Sequence, residues 1–100
     1  MKRAVIAGYS RSPFTMARKG ELIDVKPVNM FAEVVKNLVS KTKVNPADIE
    51  DIVVGCAFQV GEQSFNIGKL TTFLSGMEIH TSVMTVDRWC GSSIEAIHVA

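Results

Sequence analysis

The sequence predicts an α/β fold built on a mostly parallel sheet, and three observations carry that expectation. Short apolar runs at Arg3 to Gly8, Asp51 to Ala57 and Ser82 to Val86 have the length and continuity of strands covered on both faces. Between them lie stretches whose apolar residues recur at three- and four-residue spacing, the period of a helix packed on one side. A strand–helix–strand alternation needs crossover connections, which join parallel strands and are right-handed in nearly every known fold.

The elements follow in order. After the first run, Ser10 to Pro27 is largely polar, contains Pro13 and Gly20, and is long enough to be a functional loop. Phe14, Met16 and Leu22 within it suggest packing onto a neighbour. Phe31, Val34, Val35, Leu38 and Val39 mark the first helix, with Asn29 as its expected cap and the sheet as its expected support. Asn45-Pro46-Ala47-Asp48 supplies a capping side chain, a proline at the first helical position and an acid in the first turn, so a short helical turn precedes the second strand. Beyond the Gly61-Glu62-Gln63 loop, Ile67, Leu70, Thr71 and Leu74 repeat at helical spacing, and Gly76 is placed to end that helix. The third strand ends near Val86, and Ile94 and Ile97 begin a further helix that is expected to run through the last residue, Ala100.

Composition narrows the function classes. With 47% hydrophobic residues in 100, the chain is ordinary for one globular domain or part of one. A domain of this size buries only about 60–70% of its unfolded surface, which leaves little reserve. A formal charge of +1 offers no basic face, so nucleic-acid binding is not expected, and Lys41 with Lys43 read as a solvated helix end. No apolar run approaches the ~20 residues of a membrane span, and no signal peptide is evident, so a cytoplasmic protein with no membrane role is expected. Cys56 and Cys90 are too far apart for a metal or redox motif, and Cys56 reads as a buried strand thiol. His80 and His98 have no ligand spacing and are assigned no chemistry. No metal or bound cofactor is expected, and the absence of Gly-x-Gly-x-x-Gly after the first strand removes support for a dinucleotide.

Cys90 is the one strong chemical candidate. It stands where the third strand stops and Gly91-Ser92-Ser93 open a helix. A helix start offers unpaired N–H groups and partial positive charge, so a thiol placed there ionises more readily and its thiolate is better stabilised. Gly91 and Ser92 leave room for a substrate carbonyl to reach sulfur, which together read as an acyl-transfer cysteine; the bland alternative is a structural thiol at a helix start. Gly91 could equally serve a tight turn, and Ser92 and Ser93 could simply cap the helix. Neither serine has a local histidine to act as base. Trp89 could shape an acyl pocket or anchor packing. Arg11 could hold an anion, but securing its own loop through carbonyls is the safer reading.

Thr85-Val86-Asp87-x-x-Cys90-Gly91-Ser92-Ser93 is similar to the nucleophile segment of thiolases. Val5-Ile6-Ala7-Gly8 resembles the family's opening strand and Arg11-Ser12-Pro13-Phe14 its Arg-Thr-Pro-Phe loop. Gly55-Cys56, Gln59, Gly61-Glu62-Gln63 and Asn66-Ile67 resemble the second strand and following helix of the 3-ketoacyl-CoA thiolases of fatty-acid breakdown. Asp87 stands where asparagine is usual, Trp89 where a smaller residue is common, and Ser93 where many members have glycine; Glu78 and Ser82 replace frequent prolines. The acyl-carrier-protein condensing enzymes share a cysteine nucleophile on a similar fold, but Cys-Gly-Ser-Ser and Arg-Ser-Pro-Phe look more like thiolase.

The resemblance implies a three-layer α/β/α thiolase-like N-terminal half, incomplete within residues 1–100, ending inside the helix after the nucleophile. It implies an acyl-CoA acyltransferase in which Cys90 forms the acyl-thioester intermediate, with coenzyme A thioesters as substrates and partners. The family's histidine, in Gly-His-Pro, and second cysteine, in Cys-x-Gly, have no match here, so the isolated chain is expected to be inactive. A homodimer or tetramer is implied, with Gln63 and Asn66 near the interface. The alternative is a non-catalytic or split-enzyme subunit that pairs with a chain supplying a complementing C-terminal half.

Overall fold

A computed structural model describes residues 3–100. The chain runs through helix α1 (Pro27–Thr42), strand β1 (Asp51–Gly55), helix α2 (Ile67–Leu74), strand β2 (Ser82–Val86) and helix α3 (Ser92–Val99). Short 3-10 turns occupy Pro46–Asp48 and Gly61–Gln63. Asn45 caps the first of these as expected, its Oδ1 accepting from the Ala47 N–H at 3.2 Å.

β1 and β2 are parallel and in register from Asp51↔Ser82 to Gly55↔Val86. The Cys56 N–H extends the ladder by donating to the Val86 carbonyl at 3.0 Å. Because successive strand side chains alternate faces, Ile52, Val54, Val83 and Thr85 share one face and Val53, Gly55, Met84 and Val86 the other. A Cβ added at Gly68 of α2 would meet Val83, Val54 and Thr85, whereas one added at Gly55 would meet the backbone of Ser92 and Ser93. Helices α2 and α3 therefore lie on opposite faces of the sheet, which is the three-layer α/β/α arrangement.

α1 joins the α2 layer. It begins with Pro27 at its first position, and no side chain caps it, so the capping role expected of Asn29 is not filled; Asn29 lies within the first turn. The proline's fixed φ and missing N–H suit that position without a cap. The helix packs mainly on α2, and its Val28 and Phe31, half-buried, touch the buried cluster of Val54, Cys56 and Ile67. Each such side chain, fully buried, contributes about 1.5–3 kcal/mol.

The strand expected at Arg3–Gly8 does not form: among the described residues the sheet has two strands, and Val5 and Ile6 are 82% and 84% exposed. An apolar run reports a tendency toward burial, but a strand also needs a partner edge for its N–H and C=O groups. Here the segment is instead tied to α1 by polar contacts just beyond it. Ser10 Oγ donates to Asn37 Oδ1 at 2.9 Å, and Lys41 Nζ lies 4.6 Å from the centre of the Tyr9 ring. Beside it, between α1 and α3 along the outer edge of β1, is an apolar groove of about 860 Å³ lined by Phe31, Val34, Leu38, Val53, Ala96 and Ile97.

α2 ends as its sequence suggests. Gly76 adopts φ +74, and the Met77 N–H returns to the Thr72 carbonyl at 3.3 Å. Its start is less ordinary. Phe65 and Asn66 are both left-handed, with φ of 56 and 58, and Asn66 offers no side-chain cap. Thr85 of β2 supplies it: its Oγ1 accepts from the Gly68 N–H at 3.3 Å and donates to Asn66 Oδ1 at 2.5 Å. Thr85→Val should therefore lower stability by about 1–2 kcal/mol in chemical denaturation, because a helix-start N–H and a side-chain carbonyl both lose their partner. An unchanged midpoint would show that α2 does not need this cap.

Candidate functional site

Cys90 lies in the four-residue turn Asp87–Cys90 that carries the chain from β2 to Gly91, the residue before α3, and its thiol is exposed. The turn is tightly bonded. The Gly91 N–H donates to the Arg88 carbonyl at 2.9 Å and the Ser92 N–H to the Trp89 carbonyl at 3.1 Å. Asp87 Oδ1 accepts from the Trp89 N–H at 2.9 Å, a side-chain turn of the kind aspartate and asparagine both make. An asparagine at position 87 could make the same bond.

The strained residue of the turn is Trp89, at φ +48. Gly91 has φ −93, and an added Cβ would come no nearer than 3.4 Å, to the Arg88 carbonyl oxygen. Its lack of a side chain is therefore required neither by backbone conformation nor by packing.

α3 is set in place by β1. A Cβ on Gly55 would lie 2.4 Å from the Ser92 carbonyl carbon and oxygen and 2.5 Å from the Ser93 nitrogen. Backbone cannot yield as a flexible side chain would, so strand and helix approach this closely only with glycine at 55. Arg88 Nη1 also pairs with Glu95 Oε2, joining the turn to the next turn of α3, and His98 Nδ1 lies 3.9 Å from the same oxygen.

The remaining residues singled out from the sequence take varied places. Trp89 is 71% exposed, which rules out a buried anchor; its ring meets Phe58 edge-on, 6.1 Å between centroids. Arg11 donates to the neighbouring Ser12 carbonyl at 3.2 Å, the loop-holding role. Cys56 is buried just past β1, its thiol 3.9 Å from Gln63 Oε1. Asn66 serves Thr85, as described, and His80 Nε2 lies 3.3 Å from the Ala47 carbonyl. Among the described residues, no three His, Cys, Asp or Glu side chains converge as metal ligands would. No described helix is long and apolar enough to cross a membrane.

Two positioning features escaped the sequence reading. Gly55 was read as one residue of the Asp51 to Ala57 strand, and nothing local distinguishes a glycine pressed by a helix nearly forty residues on. Ser92 looked like a helix cap, but its side chain makes no bond to its own helix.

Comparison with known proteins gives a consistent result. The family model described as "Thiolase, N-terminal domain" matches residues 4–100. A 3-ketoacyl-CoA thiolase of Shewanella frigidimarina (strain NCIMB 400) is 39% identical over 101 residues, covering 100% of this chain and 26% of that protein. The protein of the same name from Shewanella loihica (strain ATCC BAA-1088 / PV-4) matches to the same extent. The one from Vibrio vulnificus (strain YJ016) is 35% identical over 99 residues, covering 98% of this chain and 26% of its own length. The chain thus spans about a quarter of the length of the curated relatives it matches.

Two measurements check the geometry. Under native conditions iodoacetamide should label exposed Cys90 at least about a hundredfold faster than buried Cys56, which reacts only on local opening; comparable rates, read by peptide mass, would contradict the packing of Cys56. Gly55→Ala should cost about 1–3 kcal/mol in denaturation, the range for overpacking against atoms that cannot move aside. Wild-type stability in that variant would mean that α3 is free to shift.

Proposed function

The chain belongs to the thiolase family, through its N-terminal domain, and on that footing we propose that it is the nucleophile-bearing part of a 3-ketoacyl-CoA thiolase, with Cys90 carrying the acyl group. The observation that most supports this reading is an exposed thiol held in a bonded turn directly before a helix, in the Cys-Gly-Ser-Ser setting.

In the forward direction the Cys90 thiolate attacks the 3-keto carbonyl of a 3-ketoacyl-CoA. The bond between carbons 2 and 3 then breaks, its electron pair staying on carbon 2, which takes a proton as acetyl-CoA leaves. An acyl thioester remains on Cys90 sulfur. Coenzyme A, its thiol deprotonated, attacks that thioester and expels the Cys90 thiolate with release of a shortened acyl-CoA. The reverse is a Claisen condensation of two acyl-CoA molecules. Splitting the reaction at a covalent intermediate is what calls for a thiol nucleophile. The exposed thiol, with no side chain on Gly91 after it, is open to the carbonyl.

In these 100 residues carbon 2 takes its proton from water, and no group is present to deprotonate coenzyme A for the second step. Neither His80 nor His98 lies in Gly-His-Pro, and neither cysteine begins a Cys-x-Gly segment with the second role, so this stretch alone forms at most an acyl adduct and does not turn over. Metabolism of fatty acyl-CoA in the cytoplasm, by a homo-oligomer, completes the reading. A second reading, a subunit that pairs with a chain supplying the complementing half, draws support from bare apolar surface: the groove beside β1, and Phe14, Phe65 and Ile79 at 97%, 93% and 86% exposure.

Incubation with acetoacetyl-CoA followed by intact mass tests the proposal. An acetyl adduct is expected on the wild type and none on Cys90→Ala. A folded chain that alkylates freely at Cys90 yet takes no acetyl group would overturn the claim that this segment builds its nucleophile unaided. Multiple turnover of coenzyme A by the purified chain would overturn the claim that it is incompetent alone.

A further inference from the structure

Ser92 is the first residue of α3 and is only 4% exposed, although it lies two residues from an exposed thiol. A serine at a helix start ordinarily turns its hydroxyl toward its own helix. This one reaches backward. Its Oγ accepts from the Arg88 N–H at 2.8 Å and donates to the Trp89 carbonyl at 2.7 Å. Asp87 Oδ1 lies at 3.5 Å, but a hydroxyl has one proton, and the shorter bond takes it. One buried atom therefore closes a ring across Trp89, Cys90 and Gly91, using both of its hydrogen-bonding capacities.

The ring encloses the strained residue. A left-handed non-glycine conformation costs about 1–2 kcal/mol and persists only where the surroundings impose it. Trp89 is mostly exposed, and the edge-on contact of its ring with Phe58 does not fix its backbone. What holds it is the bonding of its two peptide groups: its N–H on Asp87, and its carbonyl on both the N–H and the hydroxyl of Ser92. Ser92 in turn is packed against the sheet, its carbonyl lying where a Cβ on Gly55 would be.

We propose that Ser92 is the positioning residue of the Cys90 turn, its hydroxyl transmitting the rigidity of β1 to Trp89 and so fixing the direction in which the Cys90 thiol projects. This rests on the reading of Cys90 as acyl acceptor for its functional meaning, but the clasp itself is a property of the turn. Ser92 touches no reacting atom; it acts through Trp89.

Amide hydrogen exchange in the full chain reads the clasp without any acyl transfer. In Ser92→Ala the Arg88 amide loses its acceptor and should exchange about tenfold faster, roughly the factor one hydrogen bond is worth, while the β1–β2 amides keep their rates. Unchanged Arg88 exchange in a folded variant overturns the proposal, whether or not Cys90 accepts acetyl. Faster exchange at every amide, marking general loosening, overturns it too. The functional arm is acetylation by acetoacetyl-CoA, which should slow about tenfold in Ser92→Ala with iodoacetamide alkylation of Cys90 little changed. Placing Ser92→Ala in a Trp89→Gly background, where the left-handed conformation carries no strain, should cost acetylation much less than it does alone. Equal costs in both backgrounds would show that Ser92 does not act through Trp89. If even the wild type takes no acetyl group, the claim that this segment builds its nucleophile unaided fails, and the exchange result alone decides the clasp.

Discussion

At the C-terminal end of β1, strand and helix meet backbone against backbone. The Ser92 carbonyl occupies the space where any side chain at position 55 would begin, so the first turn of α3 rests directly on the sheet. That contact determines where α3 starts. The bonded turn before it then has two fixed ends, Val86 in the sheet and Ser92 in the helix, and only a few paths connect them. The path taken places Trp89 in the left-handed region, and it leaves the Cys90 thiol exposed, next to Gly91.

The opposite face follows similar physics with different parts. Gly68 lets α2 press on Val54 and Val83, and Thr85 lends its hydroxyl to the helix start that Asn66 leaves uncapped. Both helices are thus tied to the sheet by a glycine that permits approach and a hydroxyl that satisfies the backbone groups brought together by it. Ser92 and Thr85 are counterparts in this respect. Each is a small β-hydroxy residue used across elements, where its usual local bond would have gone to its own neighbour.

Much of this was legible in advance, for identifiable reasons. The apolar run Ser82–Val86 and the helix Ile67–Leu74, with Gly76 as its stop signal, are marked by apolar patterns within a few residues. Asn45-Pro46 encodes its cap locally. Cys90 stood out because strand end, thiol and small residues adjoin in sequence. Where the expectation failed, the deciding partner was distant or missing. Val5 and Ile6 have the composition of a covered strand, yet pairing depends on an edge elsewhere, and the chain here spends its contacts on Asn37 and Lys41 of α1. Asn29 had the chemistry of a cap but stood two residues past the proline that starts the helix.

The sequence by itself determined the α/β alternation, the parallel order of its crossovers, the family and the position of the exposed thiol, because each is written in residues close together along the chain. Tertiary structure alone decided which glycine bears a helix, which hydroxyl caps α2, and which residue of the Cys90 turn takes the strain. The first two depend on atoms that meet across seventeen and thirty-seven positions of chain, Gly68 with Thr85 and Gly55 with Ser92. No local pattern records such a meeting, since a glycine or a serine has the same chemistry whether or not another element comes to rest against it.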